Sequence, residues 1–196
     1  NGGTITHPCK VRDPMNTLAT LVRLLTDRAL FDEVSDCCQG VTGLPMDLEH
    51  ALQSLPARTI TGGFSPEAAM RIKTMAHGKL KAAYEHLFEH QWQKRAAELH
   101  QLFGITGWRE EQTEGIVSRI GVGPAYRSGH ERGGLKIVFM NAHGDDTDFI
   151  WMRGSGTESV FRIMADAAGH DQSRHDYLLA WQRSLVQAAD QMCSET

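Results

Sequence analysis

The sequence is poor in cysteine and has no long apolar run. Its four cysteines stand at positions 9, 37, 38 and 193 and show no C-x-x-C spacing. Adjacent cysteines rarely bridge, because the disulfide would be strained, so we expect four free thiols in a reducing compartment. No segment approaches the roughly 20 apolar residues that span a bilayer, and no signal peptide is visible. These absences predict a cytoplasmic protein without a membrane partner.

The sequence also lacks a strong excess of charge of either sign. The net charge of −4 disfavours a nucleic-acid partner, because such proteins usually carry a basic patch. A few arginines can still make one cleft positive. With 41% hydrophobic and 22% charged residues, the composition is typical of a globular protein that buries a core without disulfides. The chain begins with Asn1 and no methionine, so we expect a piece of a longer polypeptide.

The first hundred residues predict mostly helix. Asp13-Pro14 is a helix-start signature, and apolar residues follow at helical spacing to about residue 30. A short helix is predicted near residues 46–55. Ser65-Pro66-Glu67 repeats the start signature and predicts a long helix over about 66–102, with an interruption near Gly78.

The composition changes after Phe103. Glycines recur from 104 to 134 and indicate turns and strand ends. Strands are predicted at 135–140, 149–153 and 160–165, with a turn at 141–146 and a final amphipathic helix over 171–192. We therefore predict an α+β chain with a boundary near residues 103–108. A mostly helical segment, 1–103, would precede a domain over 104–196 that consists of a small antiparallel sheet flanked by helices.

One run near the end of the chain is typical of a phosphate site: Arg153-Gly154-Ser155-Gly156-Thr157-Glu158, followed by Arg162. Its glycines allow close backbone approach, its hydroxyls and N–H groups can donate, and guanidinium forks match phosphate oxygens. The predicted phosphate contacts are Arg153, Ser155, Gly156, Thr157 and Arg162. Glu158 would repel a phosphate, so we expect it to orient an arginine or hold the loop. No lysine follows the glycine, so the run is not a P-loop.

The run resembles the phosphate-binding loop of the α-D-phosphohexomutases, which include phosphoglucomutase and phosphomannomutase and carry R-x-S-G-T-E-P-x-x-R. Gly154 and Ser159 stand where that family commonly has proline. The likeness covers residues 134–192 well and 104–133 loosely, with the same order of strand, loop, strand and C-terminal helix. It implies a TATA-box-binding-protein-like C-terminal domain that grips the non-transferred phosphate of a phosphosugar.

The resemblance also implies a parent enzyme that interconverts hexose 1-phosphate and 6-phosphate. Such an enzyme is an isomerase of carbohydrate metabolism that acts by intramolecular phosphotransfer through a phosphoserine. Magnesium and hexose 1,6-bisphosphate are its implied cofactors, and the preceding domains of the same polypeptide are implied partners. The T-A-S-H-N type of serine loop and the D-G-D-x-D-R metal loop are missing here. We therefore expect this chain alone to be inactive, with no catalytic residue and no bound metal.

Two further expectations concern the N-terminal segment and the alternative to catalysis. Asn1-Gly2-Gly3 is similar to the tail of the family's sugar-binding loop, so residues 1–103 would be the end of the third domain. The alternative function is a non-catalytic phosphosugar-binding module, a degenerate relative of the enzymes. The missing prolines at positions 154 and 159 favour that alternative.

Other candidate residues favour structural interpretations. His86 and His90 have metal-ligand spacing, but without a third ligand a solvated helix face is the better interpretation. Glu85, together with Glu89, Lys94, Arg95 and Glu98, is predicted to form a solvated helix face. The turn at 143–146 is expected to be a polar hairpin turn rather than a cation site.

A basic, glycine-rich stretch and two tryptophans complete the candidates. Residues 127–132 are predicted to form either a mobile loop near the ligand or a surface loop, with neither favoured. Trp151 on a predicted strand and Trp181 on the final helix are predicted to lie in the core rather than to stack on sugars.

Overall fold

A computed structural model describes residues 57–63, 65–114, 117–127, 133–154 and 160–194, together with 22, 26–29 and 32. The chain divides into two compact units, Asn1–Pro56 and Ala57–Thr196. The helices predicted at 14–30 and 46–55 lie outside the described residues, apart from a few positions that are helical in the first of them: Val22, Thr26, Arg28 and Ala29. Asn1-Gly2-Gly3 and the first three cysteines also lie outside them.

The described residues of the unit that begins at Ala57 form seven strands and two long helices. In chain order these are β1 (Arg58–Ile60), β2 (Ala69–Arg71), α1 (His77–Phe103), β3 (Gly107–Glu114), β4 (Val117–Ile120), β5 (Gly134–Met140), β6 (Asp146–Gly154), β7 (Val160–Ala168) and α2 (Gln172–Ser194). Short 3-10 turns at Pro66–Ala68 and Pro124–Tyr126 lie before β2 and after β4. The predicted α+β class is confirmed.

The strands form one antiparallel sheet in the order β4-β3-β5-β6-β7. β7 is long enough to pair with two short strands along its outer edge. Residues Val160 to Arg162 pair with β2, and Asp166 to Ala168 pair with β1. The segment before α1 therefore extends the sheet, and it places β2 beside the start of β7.

Both helices pack on one face of the sheet. Phe88 of α1 lies at the centre of this core, edge-on to Trp108 with ring centroids 4.7 Å apart and stacked on Trp181 at 5.2 Å. Phe139 of β5 packs against the same rings. α1 ends at Gly104, whose φ of 68° is the left-handed conformation that glycine adopts most readily. Trp181 lies in the core, as predicted.

Neither described helix covers the opposite face, here called the Arg153 face. It carries Trp151 and Arg153 of β6 and Met164 and Arg162 of β7, because cross-strand partners project to the same side. Trp151 is half-buried on this face, so its predicted core position is wrong. Its indole lies over Gly134, where an added Cβ would come within 2.4 Å of the indole nitrogen.

Sequence patterns located the C-terminal elements well and the segment before α1 poorly. The strands predicted at 135–140, 149–153 and 160–165 and the helix at 171–192 are all present with small changes in bounds. The helix predicted from residue 66 is wrong over its first eleven residues. Pro66 begins only a 3-10 turn, and the chain then pairs with β7 before α1 begins at His77.

The boundary predicted near residues 103–108 falls inside one compact unit. Leu80, Tyr84 and Leu99 of α1 are fully buried in the core that α1 shares with the sheet. The division between compact units lies between Pro56 and Ala57. Among the described residues, no helix has the length and apolar composition that crossing a membrane requires.

Candidate phosphate-binding site

The β6–β7 hairpin brings the two predicted arginines together. Arg153 and Arg162 are directly opposite each other in the antiparallel register, and both are exposed. Side chains in such positions project to the same face, with Cβ atoms about 4.5–5.5 Å apart. Two guanidinium groups at that spacing can contact one phosphate from two sides. Ser155, Gly156, Thr157 and Glu158 lie outside the described residues.

A third arginine, Arg71, lies next to this pair, and the sequence motif did not predict it. Arg71 of β2 is opposite Val160, and Ala69 is opposite Arg162, so Arg71 is a diagonal neighbour of Arg162 in the register. At this edge of the sheet Arg71 also borders the grooves beside Gln187 and Asp190 of α2. Its side chain is exposed. Diagonal neighbours are about 7–8 Å apart, within reach of long side chains. No local signal could have revealed Arg71, because its position depends on the pairing of β2 with β7.

The three arginines form an electropositive cluster. Within the described part of the chain, Arg71, Arg153 and Arg162 make no ion pair with a carboxylate. The carboxylate of Asp166, four residues along β7 from Arg162, is instead held by Arg58, whose Nε donates to it at 2.6 Å. Like charges opposite each other in a sheet are destabilising. A bound anion would relieve that repulsion.

Gly154 explains one departure from the phosphohexomutase pattern. It is buried beneath the hairpin, and an added Cβ would lie 2.3 Å from Cε1 of His77. The imidazole of His77 in turn packs edge-on against Phe161 with centroids 5.2 Å apart. A proline at position 154 would therefore require His77 to move.

His77 is also the first residue of α1. The helix N-terminus thus lies under the hairpin on the helix-covered side, with no carboxylate in its first turn. The partial positive charge of a helix N-terminus adds to the potential that the arginines create.

The sequence predicted three other candidate features: a pair of histidines, a polar turn and the exposed Glu85. His86 and His90 are exposed on α1, as predicted, and no group that could hold a metal is found among the described residues. The predicted polar turn is present, and Asp146 at its end accepts from Arg109 at 2.6 Å. The prediction for Glu85 is wrong, because its side chain is only 9% exposed and pairs with Arg127.

Of the stretch at 127–132, the structure describes Arg127. Its side chain is 3% exposed and pairs with Glu85 of α1, so Arg127 lies neither in a surface loop nor beside the hairpin arginines. Residues 128–132 lie outside the described residues.

Comparison with known proteins adds no assignment. No protein-family model matches the chain, and no curated protein does. The candidate site therefore depends on its motif and on the register that places Arg71, Arg153 and Arg162 together.

Proposed function

We propose that the β6–β7 hairpin binds the phosphate group of a phosphorylated sugar. The observation that carries the proposal is the register of β2, β7 and β6, which supports a cluster of three exposed arginines at the motif. Arg153 and Arg162 would make bidentate contacts, and Arg71 would add charge from the neighbouring strand. Ser155, Gly156 and Thr157 would donate hydrogen bonds, and Glu158 would orient an arginine or hold the loop.

The chain would then be the C-terminal part of a phosphohexomutase. In the parent enzyme this part would grip the non-transferred phosphate while a phosphoserine in a preceding domain exchanges the other one. Magnesium and hexose 1,6-bisphosphate would serve that preceding machinery, and this chain would bind neither metal nor nucleic acid. Positioning and electrostatics dominate phosphoryl transfer, so a domain that holds the substrate contributes directly to rate. The cytoplasm is the proposed location.

The α+β architecture is compatible with this proposal. The two described helices pack on one face of the antiparallel sheet, and the hairpin arginines project from the other face. We propose that the sheet and its helices have the TATA-box-binding-protein-like fold. Two short strands on the edge of β7 would be additions to it, and one of them supplies Arg71.

A second candidate is a phosphosugar-binding module without catalysis. The packing of His77 against Gly154 favours it, because a proline, which the enzymes commonly have at that position, would require His77 to move. The two candidates share the arginine cluster and differ in turnover. A coupled assay for conversion of glucose 1-phosphate to glucose 6-phosphate by the longest natural form of the polypeptide distinguishes the two candidates.

Replacement of either hairpin arginine tests the shared proposal. We expect Arg153→Gln and Arg162→Gln each to weaken binding of glucose 6-phosphate or mannose 6-phosphate more than tenfold in calorimetric titrations. That change corresponds to about 1.4 kcal/mol, within the range of one charge-assisted contact. Lys94→Gln removes an exposed cation of α1 and serves as the matched control. Equal affinities for all variants would refute phosphate binding at the hairpin.

A further inference from the structure

Trp151 lies beside the proposed phosphate site on the same two strands. Trp151 of β6 is opposite Met164 of β7, and two residues further along the hairpin Arg153 is opposite Arg162. Residues i and i+2 of a strand project to the same face and are about 6.5–7 Å apart. The half-buried Trp151 and the two exposed arginines therefore share one face of the hairpin.

The indole of Trp151 lies across the start of β5, in the row of residues that contains Arg153. Gly134 of β5 is directly opposite Arg153, and an added Cβ on Gly134 would lie 2.4 Å from the indole nitrogen. The indole therefore occupies the space that a side chain at position 134 would otherwise take. Because Gly134 and Arg153 are neighbours across the strands, the indole nitrogen lies beside the position from which the Arg153 guanidinium projects.

The indole N–H of Trp151 is available as a hydrogen-bond donor. No acceptor for it is found among the residues that the structure describes. By contrast, the N–H of the core residue Trp181 donates to Oε1 of Gln91 at 2.7 Å, as buried tryptophans usually do. Trp151 thus offers both aromatic surface and a donor on the face that carries the arginines.

The charged neighbours of Trp151 on β5 and β3 are paired with each other. Lys136 is opposite Trp151, but its ammonium lies over the ring of Phe149, 4.5 Å from the centroid, and 3.6 Å from Oε2 of Glu111. Glu111 also accepts from Arg109 at 2.8 Å. The Glu111 carboxylate is therefore compensated by two cations, so it opposes an anion on this face only weakly.

A phosphosugar has two parts that match this arrangement. Its phosphate oxygens match guanidinium groups, which can contact them in bidentate fashion. Its ring has a face of C–H groups, and sites for small ligands pack such apolar surface against aromatic side chains. In a hexose 6-phosphate one carbon and one oxygen join the ring to phosphorus. A phosphate held between Arg153 and Arg162 would therefore place the ring over the neighbouring pair, Trp151 and Met164.

We infer that Trp151 is a specificity-determining residue of the hairpin site, on which the ring of the bound sugar packs. This inference rests on the proposed function, since the arginines must hold the phosphate. The indole N–H would donate to a hydroxyl of the sugar. Trp151 would thereby distinguish a phosphosugar from inorganic phosphate and from an acyclic phosphomonoester, whereas the arginines recognise the phosphate that all three ligands share.

Calorimetric titrations of the full chain with glucose 6-phosphate, ethyl phosphate and inorganic phosphate test the inference. We expect Trp151→Leu to weaken binding of glucose 6-phosphate about fivefold, because aromatic surface is lost, and to change the Kd of the other two ligands less than about twofold. Trp151→Phe keeps an aromatic ring and should recover part of the lost affinity. Phe149→Leu is the matched control, because it removes a half-buried ring from the same strand and face, further from the arginines. It should leave all three affinities unchanged.

A second readout uses the wild-type chain: the indole N–H signal of Trp151 in the nitrogen–proton NMR spectrum, assigned by its absence from Trp151→Phe. We expect saturating glucose 6-phosphate to shift this signal more than saturating ethyl phosphate does, and equal shifts would count against the inference. Arg153→Gln separates the two proposals. If it leaves binding of all three ligands unchanged, the phosphate site is refuted, and the role of Trp151 with it. If Arg153→Gln weakens all three whereas Trp151→Leu weakens none of them, or all of them equally, the phosphate site stands and the inference about Trp151 is overturned.

Discussion

Four ionisable side chains lie between the start of α1 and strand β3: Lys81, Tyr84, Glu85 and Glu110. The exposed fractions are 1% for Lys81, 0% for Tyr84 and 2% for Glu110, and the side chain of Glu85 is 9% exposed. Tyr84 donates to Oε1 of Gln182 at 2.5 Å, and burial raises the pKa of its hydroxyl well above the usual value. These polar side chains occupy space in the core that apolar side chains usually fill. Buried groups of this kind make stability depend on pH.

Glu110 should make the protein less stable as the pH rises from acid to alkaline values. Burial, and then the nearby Glu85 carboxylate, raises the pKa of Glu110 from 4.5 to about 8. The folded state therefore retains a proton that the unfolded state has lost. Its contribution to stability is complete below about pH 4.5 and disappears as the pH rises through about 8, with a total on the order of 5 kcal/mol.

Glu110→Gln tests this dependence, because glutamine mimics the protonated carboxyl. We expect urea-unfolding free energies of the wild type to fall between pH 5.5 and pH 9, and those of Glu110→Gln to fall much less. Glu111→Gln is the matched control, since Glu111 is the next residue and lies on the other face beside Arg109. Parallel pH profiles for wild type and Glu110→Gln would show that Glu110 titrates normally.

At the scale of single elements, the start of β5 is held unusually close to β3. An added Cβ on Gly133 would lie 2.1 Å from the carbonyl oxygen of Thr113. That atom is backbone within a paired strand, so it has little freedom to move. The carbonyl of Gly133 also accepts from Lys81. Glycine at this position therefore sets the approach of the two strands.

Gly133→Ala should destabilise the fold by about 2–3 kcal/mol, because the added methyl group forces the strands apart. Gly107→Ala is the matched control at the start of β3, where the nearest atom to an added Cβ is a flexible methionine methyl at 3.5 Å. We expect that change to alter stability by less than about 0.5 kcal/mol. Thermal unfolding of both variants gives the comparison, and equal melting temperatures would contradict the close approach.

The elements that the sequence predicted are those with simple apolar periodicity. β5, β6 and β7 alternate, or run apolar, over seven to nine residues, and α2 has a continuous stripe. β3 was missed because its buried positions are the polar residues Glu110 and Gln112, which inverts the expected alternation. β1 and β2 have three residues each, too few for any period to be recognised.

For the molecule as a whole, the sequence predicted the part of the site that is local in the chain. Arg153 and Arg162 stand in one motif, and a hairpin is enough to bring them together. Arg71 joins them through a pairing across about ninety residues of chain, which no local pattern encodes. Predictions of function from the sequence were therefore limited to what one hairpin can hold.

The compact unit over 57–196 should fold without residues 1–56, whereas a fragment over 104–196 should not. The shorter fragment loses α1 and with it four buried core side chains: Leu80, Tyr84, Phe88 and Leu99. Burial of each contributes about 1.5–3 kcal/mol, so their sum is comparable to the 5–15 kcal/mol stability of a typical domain. Phe139 and Trp181 would also lose their packing partner Phe88.

Circular dichroism and proton NMR of the two fragments measure this difference. We expect the 57–196 fragment to unfold in one cooperative transition and to show dispersed amide signals, because its sheet and both helices are complete. The 104–196 fragment should lack a cooperative transition. A third fragment, 72–196, lacks β1 and β2 but retains α1, and it should fold with reduced stability, since only short edge strands are missing. A cooperative transition in the 104–196 fragment would instead support a domain boundary near residues 103–108, with α1 outside the folding unit.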